Sequence, residues 1–216
     1  MRNSAFILIM ILLSMGCRTI EESRRVTPHP DGLPKMQYPS RFPDDWTIRN
    51  QLRIEFGKRA FYGRGVINRH ADRMEIAVLS QFGTKILHVV QSGSAVEVLF
   101  RAPEISASFA LGMIRDVQWI FFIPPASDSG EERVSRRLEN FTFTEIFRAD
   151  SGEMRSRRIW GGGEDTRIEY LEYMTIAEGR FPRRVVLENR RRNYRIDLIT
   201  EDVIREAPGS DIAPVP

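Results

Sequence analysis

The pattern that most restricts this chain is a two-residue repeat of apolar side chains that resumes many times between Trp46 and Thr200. Leu52, Ile54 and Phe56 alternate with Arg53 and Glu55. Met74, Ile76 and Val78 alternate with Glu75 and Ala77, and Val96, Val98 and Phe100 with Glu97 and Leu99. Successive side chains of a strand point to opposite faces, so this repeat marks strands with one buried face. Turn-forming clusters separate the runs: Gly57-Lys58, His70-Ala71-Asp72, Gln81-Phe82-Gly83 and Ser92-Gly93-Ser94. Five consecutive antiparallel strands are therefore expected over 47–58, 60–69, 72–80, 84–92 and 95–101.

After Pro103 the period changes. Ala110, Met113, Ile114, Val117, Ile120 and Phe121 recur at three- and four-residue spacing, which predicts a helix over 106–122, capped by Ser106 or Ser108. Residues 124–138 read as a polar loop, with a short helix as an option near its end. Period two then returns in Phe141, Phe143, Glu145 and Phe147, in 154–160, and around Ile168 to Tyr173. A last hairpin joins 183–189 to 194–200. About ten strands in one domain curl rather than lie flat. The expected fold is mainly β (α+β): a strongly curved antiparallel sheet or incomplete β-barrel, with the helix as a lid over its concave face.

The N-terminus is of another kind. Met1 and Arg2 precede the apolar run AFILIMILL, Ala5 to Leu13. That is far short of the about 20 residues a membrane-spanning helix needs, and it fits the apolar region of a signal peptide. The run Leu13-Ser14-Met15-Gly16-Cys17 resembles the bacterial lipobox, with Ser14 where the pattern has Leu. The resemblance implies lipidation of Cys17 after removal of residues 1–16. Cys17 is the only cysteine, so it has no internal disulfide partner, and acylation accounts for it. Arg18 stands where an Asp would retain such a protein in the inner membrane, which implies the outer membrane, facing the periplasm. Residues 17–45 carry Pro28, Pro30, Pro34, Pro39 and Pro43 and read as an extended tether. The domain is placed at 46–205, and 206–216 as a disordered tail.

The layout on an acylated cysteine resembles the outer-membrane lipoprotein receptor LolB and its soluble partner LolA. It is more similar still to LolB-like lipoproteins of unknown function, some encoded beside aryl polyene biosynthesis genes. The segments that carry the likeness are FYGRGVINRHADRMEIAVLSQFGTKILHV, LGMIRDVQWIFF and RFPRRVVLENRRRNYRIDL. The resemblance implies an incomplete barrel closed by helix around an apolar, acyl-holding cavity, and a periplasmic lipoprotein carrier as a partner. Phe56, Phe100, Phe109, Met113, Val117, Phe121 and Phe143 are the candidates to line such a cavity. Each is equally suited to a filled core, because both need apolar side chains. Phe82 sits at a turn. In LolB an exposed apolar side chain on a hairpin loop helps insert cargo, so Phe82 is a membrane-contact candidate, although folding back onto the core is the plainer expectation.

Enzyme chemistry has little support. His29, His70 and His88 lack metal-ligand spacing, and His88, among Ile86, Leu87, Val89 and Val90, reads as a partly buried strand histidine. No catalytic residue, metal or cofactor is assigned. Arg155, Arg157, Arg158, Arg183, Arg184 and Arg190 to Arg192 read as charged outer faces and hairpin ends, or as contacts for anionic lipid headgroups. Nucleic acid is excluded as a partner by the expected export and the absence of an aromatic-interleaved basic motif. The leading expectation is a non-enzymatic carrier of lipid, acyl or polyene chains, or of lipoprotein acyl groups, tethered to the membrane. The alternative is a structural or assembly lipoprotein that acts through surface contacts with a protein partner.

Overall fold

Twelve strands among the described residues form a single antiparallel sheet. The computed structural model describes residues 25–28, 45–70, 73–93, 95–126, 132–177 and 179–205. The segment read as a signal peptide, Cys17, Arg18, most of the Pro-rich segment and the tail from 206 lie outside the described residues. The strands are β1 (Arg25–Pro28), β2 (Trp46–Phe56), β3 (Arg59–His70), β4 (Arg73–Ser80), β5 (Lys85–Ser92), β6 (Ala95–Arg101), β7 (Arg133–Leu138), β8 (Phe141–Phe147), β9 (Met154–Gly161), β10 (Glu164–Ile176), β11 (Gly179–Asn189) and β12 (Tyr194–Arg205). Their spatial order is β1-β6-β5-β4-β3-β2-β12-β11-β10-β9-β8-β7.

Ten of these follow the expected runs. The other two differ from expectation. β1 lies within the segment read as a tether and pairs with Ala95 to Val98 of β6. β7 replaces the end of the expected polar loop. Its Val134, Arg136 and Leu138 are half-buried and Arg133, Ser135 and Arg137 exposed. The period is that of a strand, but three arginines hide it from hydropathy. Charges of this kind belong on an edge strand, where they discourage pairing with another chain.

The order is that of two meanders joined where β2 pairs with β12 along most of their length. Strands β6 and β7, consecutive in the chain, therefore lie at opposite ends of the sheet. Laid flat, twelve strands at about 4.8 Å spacing would be about 50 Å wide. The helical segment between them covers about 24 Å at 1.5 Å per residue. The sheet instead curls around that helix, and the connection runs through its concave side. Inward residues from both ends accordingly meet in one core: Met74, Ile76 and Leu87 from one meander, Phe143, Ile159 and Leu187 from the other, with Ile114, Val117 and Trp119 of the crossing helix between them.

Helix α1 (Ala107–Val117) starts at Ser106, whose Oγ accepts from Phe109 N–H at 3.1 Å. It continues as one π-helical turn, Gln118–Phe122, closed by Ile123 N–H donating to Gln118 O at 3.0 Å. The expected helix is thus present, with its last turn widened. All five residues of that turn are buried, as suits a helix enclosed on several sides.

Close strand approach also shapes the sheet. Gly63 of β3 pairs with Ser80 of β4, and a Cβ on Gly63 would lie 2.1 Å from Leu79 O. Any other residue would push β3 from β4 beside the barrel mouth.

A helix inside a curled sheet ends in apolar surroundings, where its last carbonyls need donors. Arg157 of β9 supplies them. It is 0% exposed, donates to Trp119 O and to Ile123 O (2.8 Å), and pairs with the equally buried Glu145 at 2.7 Å. Arg136 joins Glu145 at 3.3 Å, and Tyr170 O–H donates to Ile120 O at 3.1 Å. Arg157, expected on an outer face, is therefore an interior residue that holds the helix end.

Two stability effects are expected. Gly63→Ala should lower unfolding free energy by about 1–3 kcal/mol, the usual cost of overpacking. Arg157→Leu should cost about 3–5 kcal/mol by removing the one fully buried cation that pairs with Glu145, which keeps only the more exposed Arg136, and adding Glu145→Leu should recover part of that loss. Urea unfolding of the single and double variants reads both.

Candidate functional site: a cavity at the mouth of the curled sheet

Consecutive antiparallel strands send alternate turns to the same end of a sheet. One end carries the turns after β2, β4, β7, β9 and β11, together with residues 102–106 leading into α1. A cavity of about 680 Å³ opens there, within the roughly 300–1,000 Å³ common for small-molecule sites. Its lining is mostly apolar. Phe56, Ala60 and Phe61 come from β2 and β3, Ile86 from β5, and Ala102, Ile105 and Phe109 from the entry to the helix. The polar lining residues are Arg59, Ser80, Thr84, Lys85, Glu104 and Ser106.

The floor is aromatic. Phe109 meets Phe56 edge-on at 4.7 Å and Tyr194 edge-on at 5.4 Å. Tyr194 in turn donates its O–H to Asp116 of α1. Asp116 is 1% exposed, and burial pushes its carboxyl up to about 6, against the pull of Arg115 and the Tyr194 hydrogen bond. The Tyr194 hydroxyl is raised above its ordinary value by burial and by the facing carboxylate. Beside them Glu164 accepts from Arg115 (2.6 Å), Arg192 (2.6 Å) and Asn189 (2.7 Å), and Gln118 donates to Gln91 at 2.8 Å. These contacts fix α1, and hence Phe109, to β10, β11, β12 and β5.

The structure brings two of the seven cavity candidates, Phe56 and Phe109, to this space. Met113, Val117, Phe121 and Phe143 lie deeper, in the packed core. Phe121 stacks on Phe181 at 5.5 Å, and Phe143 is 0% exposed. Phe100 is half-buried opposite His88 and does not line the cavity. The space between helix and sheet is therefore filled along most of its length, and the opening sits at the helix N-terminus. Phe61, Ile86 and Ile105 escaped the sequence reading because they flank turns, outside the clear alternation. The buried polar cluster had a visible signal: Arg115, Asp116 and Gln118 interrupt an otherwise apolar helical run.

Phe82 does not fold back. It is 86% exposed at the turn between β4 and β5. Ser80 Oγ accepts from both Phe82 N–H and Thr84 N–H at 3.1 Å, which sets the turn. Ser80 and Thr84 line the cavity, so Phe82 projects from its rim.

Elsewhere, His88 meets Glu75 at 2.6 Å. That hydrogen bond outweighs burial and lowers the Glu75 carboxyl below its usual range. A smaller groove of about 220 Å³ lies against Arg133, Arg158, Arg167 and Arg190, three of which have acidic neighbours in Asp165, Glu169 and Glu188. Among the described residues no three His, Cys, Asp or Glu side chains are grouped to hold a metal ion, and no helix is long and apolar enough to cross a membrane.

The class these elements define is a mainly β protein built on one curled, open antiparallel sheet around a short helix. The chain belongs to a family described as proteins of unknown function (DUF3261), whose model matches residues 47–202. No curated protein matches it. Among solved structures it is similar to a DUF1329 family protein from Desulfovibrio piger (8% identity, 78% of this chain and 88% of that one, TM-score 0.46). It is also similar to a LolA superfamily protein from Nitrosomonas europaea (10% identity, 80% and 90%, TM-score 0.46). A third is a putative outer membrane lipoprotein-sorting protein domain from Vibrio parahaemolyticus (8% identity, 76% and 86%, TM-score 0.46). Likeness at this level adds nothing to what the chain's own geometry says about its site.

The raised Asp116 carboxyl has a consequence for pH. The folded protein binds this proton more tightly than the unfolded chain, so its contribution makes stability rise as pH falls from about 6 toward the ordinary aspartate value of 3.8. Above about 6 the buried charge is a standing cost. Asp116→Asn should remove this slope, so the variant should gain relative to wild type as pH is raised from 4.5 to 7.5. The opposite contribution of Glu75 is common to both proteins and cancels. Urea unfolding at the two pH values checks the difference.

Proposed function

We propose that this protein is a non-enzymatic carrier, anchored through Cys17 to the periplasmic side of the outer membrane. It would take lipid, acyl or polyene chains, or the acyl groups of lipoproteins, into the mouth of the curled sheet. The observation that carries this reading is the 680 Å³ cavity with a mostly apolar lining. Apolar burial, about 25 cal/mol per Å² removed from water, would drive uptake. Phe82, exposed on the rim, would touch the bilayer during transfer, and a periplasmic lipoprotein carrier is a partner consistent with that role.

The packed interior favours a second reading. Where Met113, Val117, Phe121 and Phe143 fill the space under the helix, a structural or assembly lipoprotein acting through its surface needs nothing more.

The test is binding. Purified protein should retain a long-chain lipid in native mass spectrometry and take up a fluorescent fatty acid. Ala102→Trp, which fills the cavity from its half-buried lining, should weaken uptake at least about tenfold (about 1.4 kcal/mol) while thermal unfolding stays near wild type. Absence of ligand in both assays would leave the surface-acting reading in place.

A further inference from the structure

We infer that the amphiphile held at this mouth carries an anionic head, carboxylate or phosphate, gripped between Arg59 and Lys85. This rests on the carrier reading and narrows its ligand class.

The cavity is lined by two cations and one acid, Arg59, Lys85 and Glu104. Among the described residues, the side chains of Arg59 and Lys85 make no hydrogen bond or ion pair, and Glu104 pairs with neither. That sets them apart from many arginines of the outer surface. Arg53, Arg158, Arg167, Arg180 and Arg184 all have acidic partners within 4 Å.

The other polar groups at the mouth are partly committed. Ser80 Oγ accepts from the turn amides of Phe82 and Thr84, and Ser106 Oγ accepts from Phe109 N–H. The strongest free donors facing a ligand head are thus the Arg59 guanidinium and the Lys85 ammonium. Hydrogen bonds from such groups to an anion are roughly twice as strong as those to a neutral acceptor, and an apolar surround weakens their screening. Arg59 begins β3 and Lys85 begins β5. Each stands where the apolar lining gives way to solvent, so a chain in contact with Phe56, Phe61 and Phe109 would present its head to them. A neutral glyceride or alcohol would leave both charges unanswered.

Titration calorimetry of the purified protein with submicellar oleate, oleoyl lysophosphatidate and monoolein tests this. At least one anionic ligand should bind at least about tenfold tighter than monoolein, with the margin shrinking as salt is raised. Arg59→Gln with Lys85→Gln should bring the ratio toward unity, and Glu104→Gln should increase it. Circular dichroism confirms that each variant is folded. Equal affinity for charged and neutral ligands, or a preference that survives the double substitution, would overturn the inference and leave the carrier reading standing. If none of the three ligands binds, the carrier reading falls and takes this one with it.

Discussion

One connection dictates the architecture. Strands β6 and β7 follow each other in the chain but lie at opposite ends of the sheet, so the segment between them has to traverse all the strands that separate them. A helix is the compact way to make that passage, because it satisfies its own backbone while crossing an apolar face. Its apolar sides are covered when the sheet curls round it. Curvature, a central helix and a single core are three aspects of the same requirement.

Enclosing a helix this way creates an electrostatic problem. On a surface helix the polar stripe faces water, whereas here the sheet surrounds it. Arg115, Asp116 and Gln118 meet this by pairing with Glu164, Tyr194 and Gln91, and Arg157 caps the far end. Buried ions of this kind contribute little net stability against apolar replacements. They do tie the helix to three separate strands, β5, β10 and β12, and so fix its rotation and depth. The cavity depends on that placement, because its floor is Phe109 of the first helical turn, wedged against Phe56 and Tyr194.

The elements of this fold were legible in the sequence wherever periodicity was clean. Leu52-Ile54-Phe56 and Met74-Ile76-Val78 announce strands, and Met113-Ile114-Val117 a helix, because burial on one face forces the repeat. β7 was not legible, since arginines on an edge strand break hydropathy without breaking the strand. Nor was the division between core and cavity. Phe109 and Phe143 are the same residue type on apolar faces, and only their depth in the curled sheet makes one a wall and the other filling. Arg157 is the converse case: its neighbours Arg155 and Arg158 are exposed, so charge density alone assigned all three to the surface. Phe82 shows that a turn can keep an aromatic side chain in water when its backbone is tied, here by Ser80.

The cavity's position at the strand ends, away from the packed centre, has an evolutionary meaning. Residues that shape the opening come from turns and strand termini, while those that decide whether the chain folds lie under the helix. Selection can alter the first set without destabilising the second. A lineage can therefore reshape the opening by substitutions at a few hairpin tips, and the scaffold can stay recognisable long after its mouth has diverged.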